Sequence, residues 1–216
     1  MHNSVKNLIY IEELIKSKVN HDKLTKIIAV SKTFPIEAIL PLVEHGQLHF
    51  GENKVQEALD KWRDIKIKND TIKLHLIGRL QTNKVKFALK IFDYIHSLDG
   101  EKLAIKISEE QIKQEKKPKM FIQVNIGNES QKSGINKDDL VDFYKFCKNL
   151  NLDIIGTMCI PPNDGNTEKY FSEMNKINEE LNFKELSMGM SEDYLEAIKN
   201  NATYVRVGSK IFGNRT

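Results

Sequence analysis

The sequence has little that would direct it into a membrane or an oxidising compartment. It contains two cysteines in 216 residues, Cys147 and Cys159, and their spacing matches no metal or redox motif. No apolar run approaches the roughly 20 residues of a membrane-spanning helix. The N-terminal stretch also lacks the apolar core and cleavage site of a signal peptide. We therefore expect a cytoplasmic protein with no membrane partner.

No charge of one sign dominates the chain. Its 33 Lys and Arg residues are interspersed with 30 Asp and Glu residues, and the net charge is +3. Because a nucleic-acid-binding protein needs a concentrated basic face, we expect no nucleic-acid partner. The six histidines are scattered along the sequence, so we interpret them as structural or surface residues and expect no metal site.

The sequence does contain a regular alternation of short β-branched segments and longer helical patterns. An amphipathic helix is predicted over residues 1–19, and the candidate strands are 26–32, 48–52, 74–78, 94–98, 120–126, 152–158, 185–188 and 203–208. Alternation of strands with helices predicts a parallel sheet, because parallel neighbours need a crossover connection. Eight such units favour a single (β/α)8 TIM-like barrel, and we expect residues 1–216 to form one domain.

An open doubly wound sheet is the alternative that the same pattern allows. It would carry a glycine-rich dinucleotide fingerprint after the first strand, where this sequence reads SKTFP. The barrel is therefore favoured, and its functional residues are expected where the carboxyl ends of the strands meet.

Lys32 is the first candidate at that rim, because it ends the apolar run IIAVSK. Exposed lysines at strand ends are common, and a solvated amine is the ordinary interpretation. A lysine sheltered in a barrel mouth, however, is favoured in its neutral form, which attacks an aldehyde. Lys32 is thus a candidate for Schiff-base formation.

The last two units carry the features of a phosphate site. Barrels often hold a phosphate with the loops after strands seven and eight and a short helix N-terminus. Ser191 precedes the helical pattern EDYLEAI, and Gly208 and Ser209 precede a second short helix. Ser191 alone is better explained as a helix N-cap. Two glycine-serine helix starts on neighbouring loops make the phosphate interpretation the stronger one.

Two further features leave alternatives open. Arg206 lies between Val205 and Val207 in the last strand; it either points inward and needs a partner, or points outward into solvent. The segment GNESQKSG, residues 127–134, resembles a phosphate-binding loop but fails the Walker pattern, because Gln131 rather than glycine precedes Lys132 and Ser133.

Several motifs then occur in a fixed order along the chain. They include AVSKTFP, FGENKVQEA, HLIGRLQTNK, VNIGNESQKSGI and LSMGMSEDYLEAI, and the sequence closes on VRVGSKIFG. This set resembles the pyridoxal 5′-phosphate homeostasis protein family from about residue 27 onward. The resemblance implies a barrel similar to the N-terminal domain of alanine racemase, with pyridoxal 5′-phosphate (PLP) as its cofactor.

The resemblance also implies a role for each matching residue. Lys32 would bind PLP covalently as a Schiff base, and Asn53 would lie beside the cofactor. The phosphate would be held by three residues, Ser191, Gly208 and Ser209. Arg206 would face the pyridine nitrogen and discourage its protonation, which makes the ring a weaker electron sink.

Two functions follow from the resemblance. The first is a non-enzymatic carrier or buffer of PLP in vitamin B6 and amino-acid homeostasis, supplying PLP-requiring apo-enzymes. The second is a PLP-dependent amino-acid racemase. Alanine racemase adds a β domain and a tyrosine from a partner subunit, for which this sequence leaves no room after IFGNR. The carrier, as a monomer, is therefore the favoured expectation.

Overall fold

Eight strands and nine helices alternate through the described part of the chain, which in this computed structural model comprises residues 1–18, 25–129 and 131–213. The strands are β1 Lys26–Val30, β2 His49–Glu52, β3 Lys73–Leu76, β4 Tyr94–Leu98, β5 Lys119–Val124, β6 Asp153–Cys159, β7 Glu185–Met190 and β8 Tyr204–Val207. All neighbouring strands are parallel, and β1 pairs with β8, so the sheet closes. The predicted (β/α)8 barrel is confirmed, and each predicted strand has its counterpart.

The helices surround the barrel, and one precedes it. They are α1 Asn3–Lys18, α2 Ile36–Glu44, α3 Val55–Lys68, α4 Val85–Ala88, α5 Glu101–Gln114, α6 Leu140–Asn149, α7 Thr167–Glu180, α8 Tyr194–Lys199 and α9 Ser209–Phe212. Short 3₁₀ turns, Thr82–Lys84 and Lys137–Asp139, lead into α4 and α6. The predicted N-terminal helix is confirmed as α1; residue 19, which the prediction included, lies outside the described residues. No helix in the described ranges is both long enough and apolar enough to cross a membrane.

Two hydrophobic clusters hold these layers together. The larger lies between the sheet and the helices, where the rings of Phe50 on β2 and Trp62 on α3 pack with their centroids 4.7 Å apart. The smaller fills the barrel itself, and its buried members are Ile28, Tyr94, Phe121, Met158 and Tyr204. Because successive side chains of a strand point to opposite faces, β1, β4, β5, β6 and β8 contribute to both clusters.

The C-terminal end of β7 departs from regular pairing. Its register against β8 shifts between Ser187 and Met190, and Gly189 between them adopts a positive φ of +87°. A Cβ atom at position 189 would lie 2.5 Å from the Cβ of Ala197 on α8. Glycine at this position therefore satisfies both the left-handed backbone and the close packing of α8 on the sheet.

Substituting Gly189→Ala is expected to lower the free energy of unfolding by about 2–5 kcal/mol. About 1–2 kcal/mol comes from the left-handed backbone, and about 1–3 kcal/mol comes from overpacking against α8. Gly46→Ala is the matched control, because Gly46 has a φ of +97° but no atom within 4 Å of the added Cβ. Urea titration measures both, and an equal loss in the two variants would show that the packing argument is wrong.

Candidate functional site

A cavity of about 1060 Å³ lies among the loops that follow the carboxyl ends of the strands. All six residues singled out from the sequence line it: Lys32, Asn53, Ser191, Arg206, Gly208 and Ser209. A second cavity of about 820 Å³ lies among residues 79–83 and 99–103 and contains none of them. The structure therefore brings together residues that are up to 177 positions apart in the sequence.

Lys32 lies in a turn rather than in a strand. The predicted extension of the first strand to Lys32 is wrong, because β1 ends at Val30 and the chain then turns. Thr33 adopts a φ of +69°, which is uncommon for a β-branched residue. Such conformations persist where surrounding contacts over-determine them, and they concentrate at functional sites. The half-buried Lys32 is thus presented to the cavity by a strained turn.

A partly buried ionic network holds this turn in place. The backbone N–H of Thr33 donates to Glu57 Oε1 at 2.6 Å. Lys61 Nζ lies 3.0 Å from Glu57 Oε1, from Glu52 Oε1 and from the carbonyl oxygen of Ser31. Burial raises the pKa of Glu57, but the hydrogen bonds from Thr33 and Lys61 outweigh it and hold that pKa below its usual value. The chain on both sides of Lys32 is therefore tied to the same ammonium group.

Asn53 follows β2 and carries a buried acceptor that lacks a partner. Its Oδ1 has no hydrogen bond within the described residues, although it is shielded from solvent. A Cβ atom at Gly78 would lie 2.3 Å from the carbonyl oxygen of Asn53, so the loop after β3 presses directly on this backbone. An orphaned buried acceptor costs free energy. A ligand that donates a hydrogen bond to Asn53 would remove that cost.

Arg206 points into the barrel, which settles the alternative left open by the sequence. Arg206 is only 4% exposed. Its Nη1 donates to Ser187 Oγ at 2.8 Å, and its Nη2 donates to the carbonyl oxygen of Cys159 at 2.9 Å. Burial lowers the pKa of the guanidinium. Within the described chain, no ion pair joins Arg206 to a carboxylate. Because a guanidinium has five N–H donors, Arg206 can also serve an acceptor on a ligand in the cavity.

Ser191 does not act as the N-cap of α8, contrary to one interpretation of the sequence. The N-cap position belongs to Asp193, whose Oδ1 accepts a hydrogen bond from the Met190 N–H at 2.6 Å. Ser191 Oγ instead accepts from the backbone N–H of Gly208 at 3.2 Å. The loops after β7 and β8 are thus joined by a serine hydroxyl that also lines the cavity.

Gly208 and Ser209 open a short helix, as the sequence suggested. Gly208 is the N-cap of α9, and the helix begins at Ser209, whose side chain is exposed at the cavity. Together with Ser191, these residues place hydroxyl groups and a backbone N–H at one end of the cavity. Such groups are the usual partners of a phosphate oxygen.

Sequence reasoning missed Lys132, which also lines the cavity. The segment that contains it was set aside because it fails the Walker pattern. In the structure, Lys132 Nζ donates to the carbonyl oxygen of Pro161 at 3.3 Å and pairs with Glu129. The signal was available, because this segment follows the carboxyl end of β5 and should have been assigned to the same rim as the other candidates.

Sequence reasoning also missed a row of histidines behind Arg206. His96 Nδ1 lies 2.9 Å from Ser187 Oγ, His75 Nδ1 lies 2.9 Å from His96 Nε2, and His49 Nδ1 lies 2.9 Å from His75 Nε2. Their interpretation as structural or surface residues therefore overlooked that three of them form one chain. The signal was their occurrence in three consecutive predicted strands. Within the described residues, no cluster of His, Cys, Asp or Glu side chains could hold a metal ion.

These features fit PLP on four points. The cofactor has an aldehyde, a pyridine nitrogen, a hydroxyl group and a phosphate. The cavity offers an amine at Lys32, a guanidinium at Arg206, an unpaired acceptor at Asn53 and the hydroxyl groups of two serines, Ser191 and Ser209. The resemblance drawn from the sequence and the groups found in the cavity therefore agree.

Comparison with known proteins yields the same family. The family described as alanine racemase, N-terminal domain, matches residues 11–216. The pyridoxal phosphate homeostasis protein of Pasteurella multocida is 38% identical over 97% of this chain and 96% of its own length. That of Escherichia coli K12 is 33% identical over 88% of this chain and 85% of its own length.

Solved structures agree with the sequence relatives. PipY of Synechococcus elongatus, solved without PLP, is 31% identical and superposes with a TM-score of 0.88, covering 98% of this chain and all of its own. The same protein with PLP bound gives a TM-score of 0.85. Alanine racemase from Acinetobacter baumannii shares only the fold, at 18% identity and a TM-score of 0.74. The chain therefore belongs to the alanine racemase N-terminal-domain family and, within it, to the pyridoxal phosphate homeostasis proteins.

Proposed function

We propose that this chain binds PLP and acts as a carrier or buffer in intracellular PLP and amino-acid homeostasis. Its relatives bear the name of that role, and the related PipY structure contains PLP. The structural observation that supports the proposal most directly is one cavity that holds both Lys32 and the buried guanidinium of Arg206. A small molecule that carries both an aldehyde and a pyridine nitrogen would need an amine and a guanidinium in the same cavity.

Lys32 is proposed to bind the cofactor covalently. Bound PLP would supply an aldehyde, with which the neutral amine of Lys32 would form a Schiff base and release one water. Lys32 is half-buried on the cavity, and its turn is fixed by contacts to Glu57 and Lys61. A fixed turn keeps the amine within reach of the aldehyde, which lowers the entropic cost of bond formation.

Arg206 is proposed to hold the pyridine nitrogen unprotonated. A guanidinium can only donate hydrogen bonds, so a ring nitrogen facing it must accept with its lone pair. Ser187 and the Cys159 carbonyl fix the guanidinium, which cannot turn away from the cavity without losing both bonds. An unprotonated ring withdraws electrons weakly, and this favours storage of the cofactor over reactions at the amino-acid α-carbon.

The phosphate is proposed to lie at the end formed by Ser191, Gly208 and Ser209. Ser191 Oγ already accepts the Gly208 N–H, so its own hydroxyl proton can be donated outward. The exposed Ser209 hydroxyl adds a second donor. Hydrogen bonds to an ionised phosphate are shorter and stronger than those between neutral groups.

Location, assembly and recipients are also proposed. Both cysteines, Cys147 and Cys159, are free and buried, which suits a reducing compartment such as the cytoplasm. Burial raises the pKa of each thiol to about 12, so neither is reactive near neutral pH.

We propose a monomer that passes PLP to PLP-requiring apo-enzymes. Size-exclusion chromatography tests the monomer, and reactivation of an apo-enzyme by the holo-protein tests the transfer.

Lys32→Ala is expected to abolish covalent PLP binding. Borohydride reduction of the wild-type holo-protein, followed by peptide mass spectrometry, should place the modification on Lys32. Lys54→Ala is the matched control, because Lys54 is exposed and does not line the cavity although it adjoins Asn53. Modification of Lys132 instead of Lys32 in the wild-type protein would contradict the assignment.

Ser191→Ala is expected to weaken PLP retention by about 1.5–3 kcal/mol, the contribution of a hydrogen bond to a charged group. That corresponds to a roughly 10- to 150-fold higher dissociation constant, measured by absorbance titration. Ser108→Ala serves as the control, because Ser108 also bonds a backbone group, the Leu150 carbonyl at 3.0 Å, but does not line the cavity. Unchanged PLP retention in Ser191→Ala would show that Ser191 does not bind the phosphate and only joins the two loops through its contact to Gly208.

The carrier and the racemase are distinguished by proton exchange. Arg206 would leave the pyridine nitrogen unprotonated, and an unprotonated ring is a weak electron sink for reactions at the amino-acid α-carbon. We therefore expect the holo-protein, incubated with L-alanine in deuterated water, to exchange the α-proton far more slowly than an enzyme with a turnover of about 1–1000 per second. Proton NMR measures the exchange, with an alanine racemase as the positive control. Exchange and racemisation at such rates would overturn the carrier proposal.

A further inference from the structure

A continuous chain of hydrogen bonds crosses the barrel interior from the cavity toward the opposite mouth. It starts at Arg206 on β8 and passes through Ser187 on β7, His96 on β4 and His75 on β3 to His49 on β2. Each of its four links measures 2.8–2.9 Å. Arg206, Ser187, His96 and His75 are buried, and His49 is partly exposed.

The guanidinium at one end, together with the lack of any further hydrogen-bond partner for Ser187 Oγ among the described residues, sets the direction of the links. Arg206 can only donate, so Ser187 Oγ accepts from it. The hydroxyl proton of Ser187 then has His96 Nδ1 as its acceptor. A neutral imidazole that accepts at Nδ1 carries its proton on Nε2.

The same reasoning applies to the next two rings. His96 Nε2–H donates to His75 Nδ1, and His75 Nε2–H donates to His49 Nδ1. All three imidazoles are therefore assigned the Nε2–H form. The protons of the chain all point away from the cavity and toward the mouth at His49.

The surroundings keep the chain neutral. Burial, aided by the ammonium groups of Lys26 and Lys73, lowers the pKa of His49 to about 4 against the opposing charges of Asp93 and Glu185. Burial also holds the pKa of His75 and His96 well below the usual value, and the neighbouring imidazoles and the charges of Lys26, Lys66 and Arg206 act in the same direction. Near pH 7, each ring carries one proton, as the assigned directions require.

Aromatic rings lock the planes of the two inner imidazoles. Tyr94 stacks on His75 with centroids 4.2 Å apart at 12°, and Phe121 stacks on His96 with centroids 4.3 Å apart at 24°. A stacked ring in a packed interior cannot rotate without disturbing its neighbours. The chain is thus a fixed support rather than a set of mobile side chains.

We propose that His49, His75, His96 and Ser187 are positioning residues that fix Arg206 in the cavity through one directional chain of neutral hydrogen bonds. A carboxylate behind Arg206 would draw its charge away from the ligand. Neutral acceptors instead hold the guanidinium in place and leave its charge to act on the ring nitrogen. The effect on PLP rests on the proposed function, whereas the direction of the hydrogen bonds does not depend on it.

The direction is tested on the cofactor-free wild-type protein by long-range ¹H–¹⁵N NMR of its imidazoles at pH 7. The expected result is neutral Nε2–H rings at His49, His75 and His96. An Nδ1–H ring or an imidazolium at His75 or His96 would falsify the proposal. This measurement needs no variant and no PLP. If the wild-type protein failed to bind PLP, the proposed function would be wrong, but the assigned direction of the hydrogen bonds would still be tested by the NMR result.

The effect on Arg206 is tested with Ser187→Ala, His96→Leu and the double variant, loaded with PLP. Each single variant is expected to retain PLP about tenfold less tightly, and the double variant no less tightly than either, because both residues act through one path. The visible spectrum of bound PLP, constant between pH 6 and 8 in the wild-type protein, should become pH-dependent.

His45→Leu is the matched control for these spectra, because His45 is exposed and does not belong to the chain. Spectra that stay pH-independent in Ser187→Ala, or additive losses in the double variant, would show that Ser187 and His96 do not act through Arg206. Should His96→Leu fail to fold, the smaller change Ser187→Ala decides the point by itself.

Discussion

A guanidinium buried inside a closed sheet must find its acceptors on nearby strands. Arg206 on β8 finds them on β7, at Ser187, and on β6, at the Cys159 carbonyl. This requirement governs much of the barrel interior, because Ser187 in turn needs a partner for its own proton and finds it at His96. The interior therefore combines an apolar cluster with a polar row, and the polar row ends at the cavity.

The other side of the cavity depends on a different kind of support. Lys32 belongs to a turn whose backbone is held by Glu57 and by the half-buried Lys61. Lys61 is itself held by two carboxylates, Glu52 and Glu57, so its charge is matched where it is buried. The turn that carries Lys32 and the guanidinium of Arg206, which both line the cavity, are thus held by two separate networks, one outside the sheet and one inside it.

Much of the fold could be predicted from sequence, because short β-branched segments between helical patterns leave few alternatives to a parallel barrel. The six site residues could also be collected, since parallel strands place their carboxyl ends on one rim. The end of β1 could not be predicted, because Thr33 adopts a left-handed conformation that its residue type disfavours. Ser191 was ambiguous for a related reason: only the position of Gly208 shows that its hydroxyl joins two loops rather than capping α8.

The histidine row shows a different limit. His49, His75 and His96 each lie in a correctly predicted strand, but their contact depends on the stagger between strands, which residue types alone do not determine. The inward direction of Arg206 was open for the same reason. Pairing register, rather than strand identity, is what the sequence left undetermined.

The pairing of β1 with β8 closes the barrel between segments at opposite ends of the chain. Lys32 follows β1 on one side of this pairing, and Arg206 lies in β8 on the other side. Any molecule that binds both residues therefore links the two strands. Joining segments so distant in sequence carries the largest loop-closure entropy in the sheet. A ligand that binds the folded chain and not the unfolded one shifts the folding equilibrium, so occupancy of this cavity would stabilise the closed barrel as a whole.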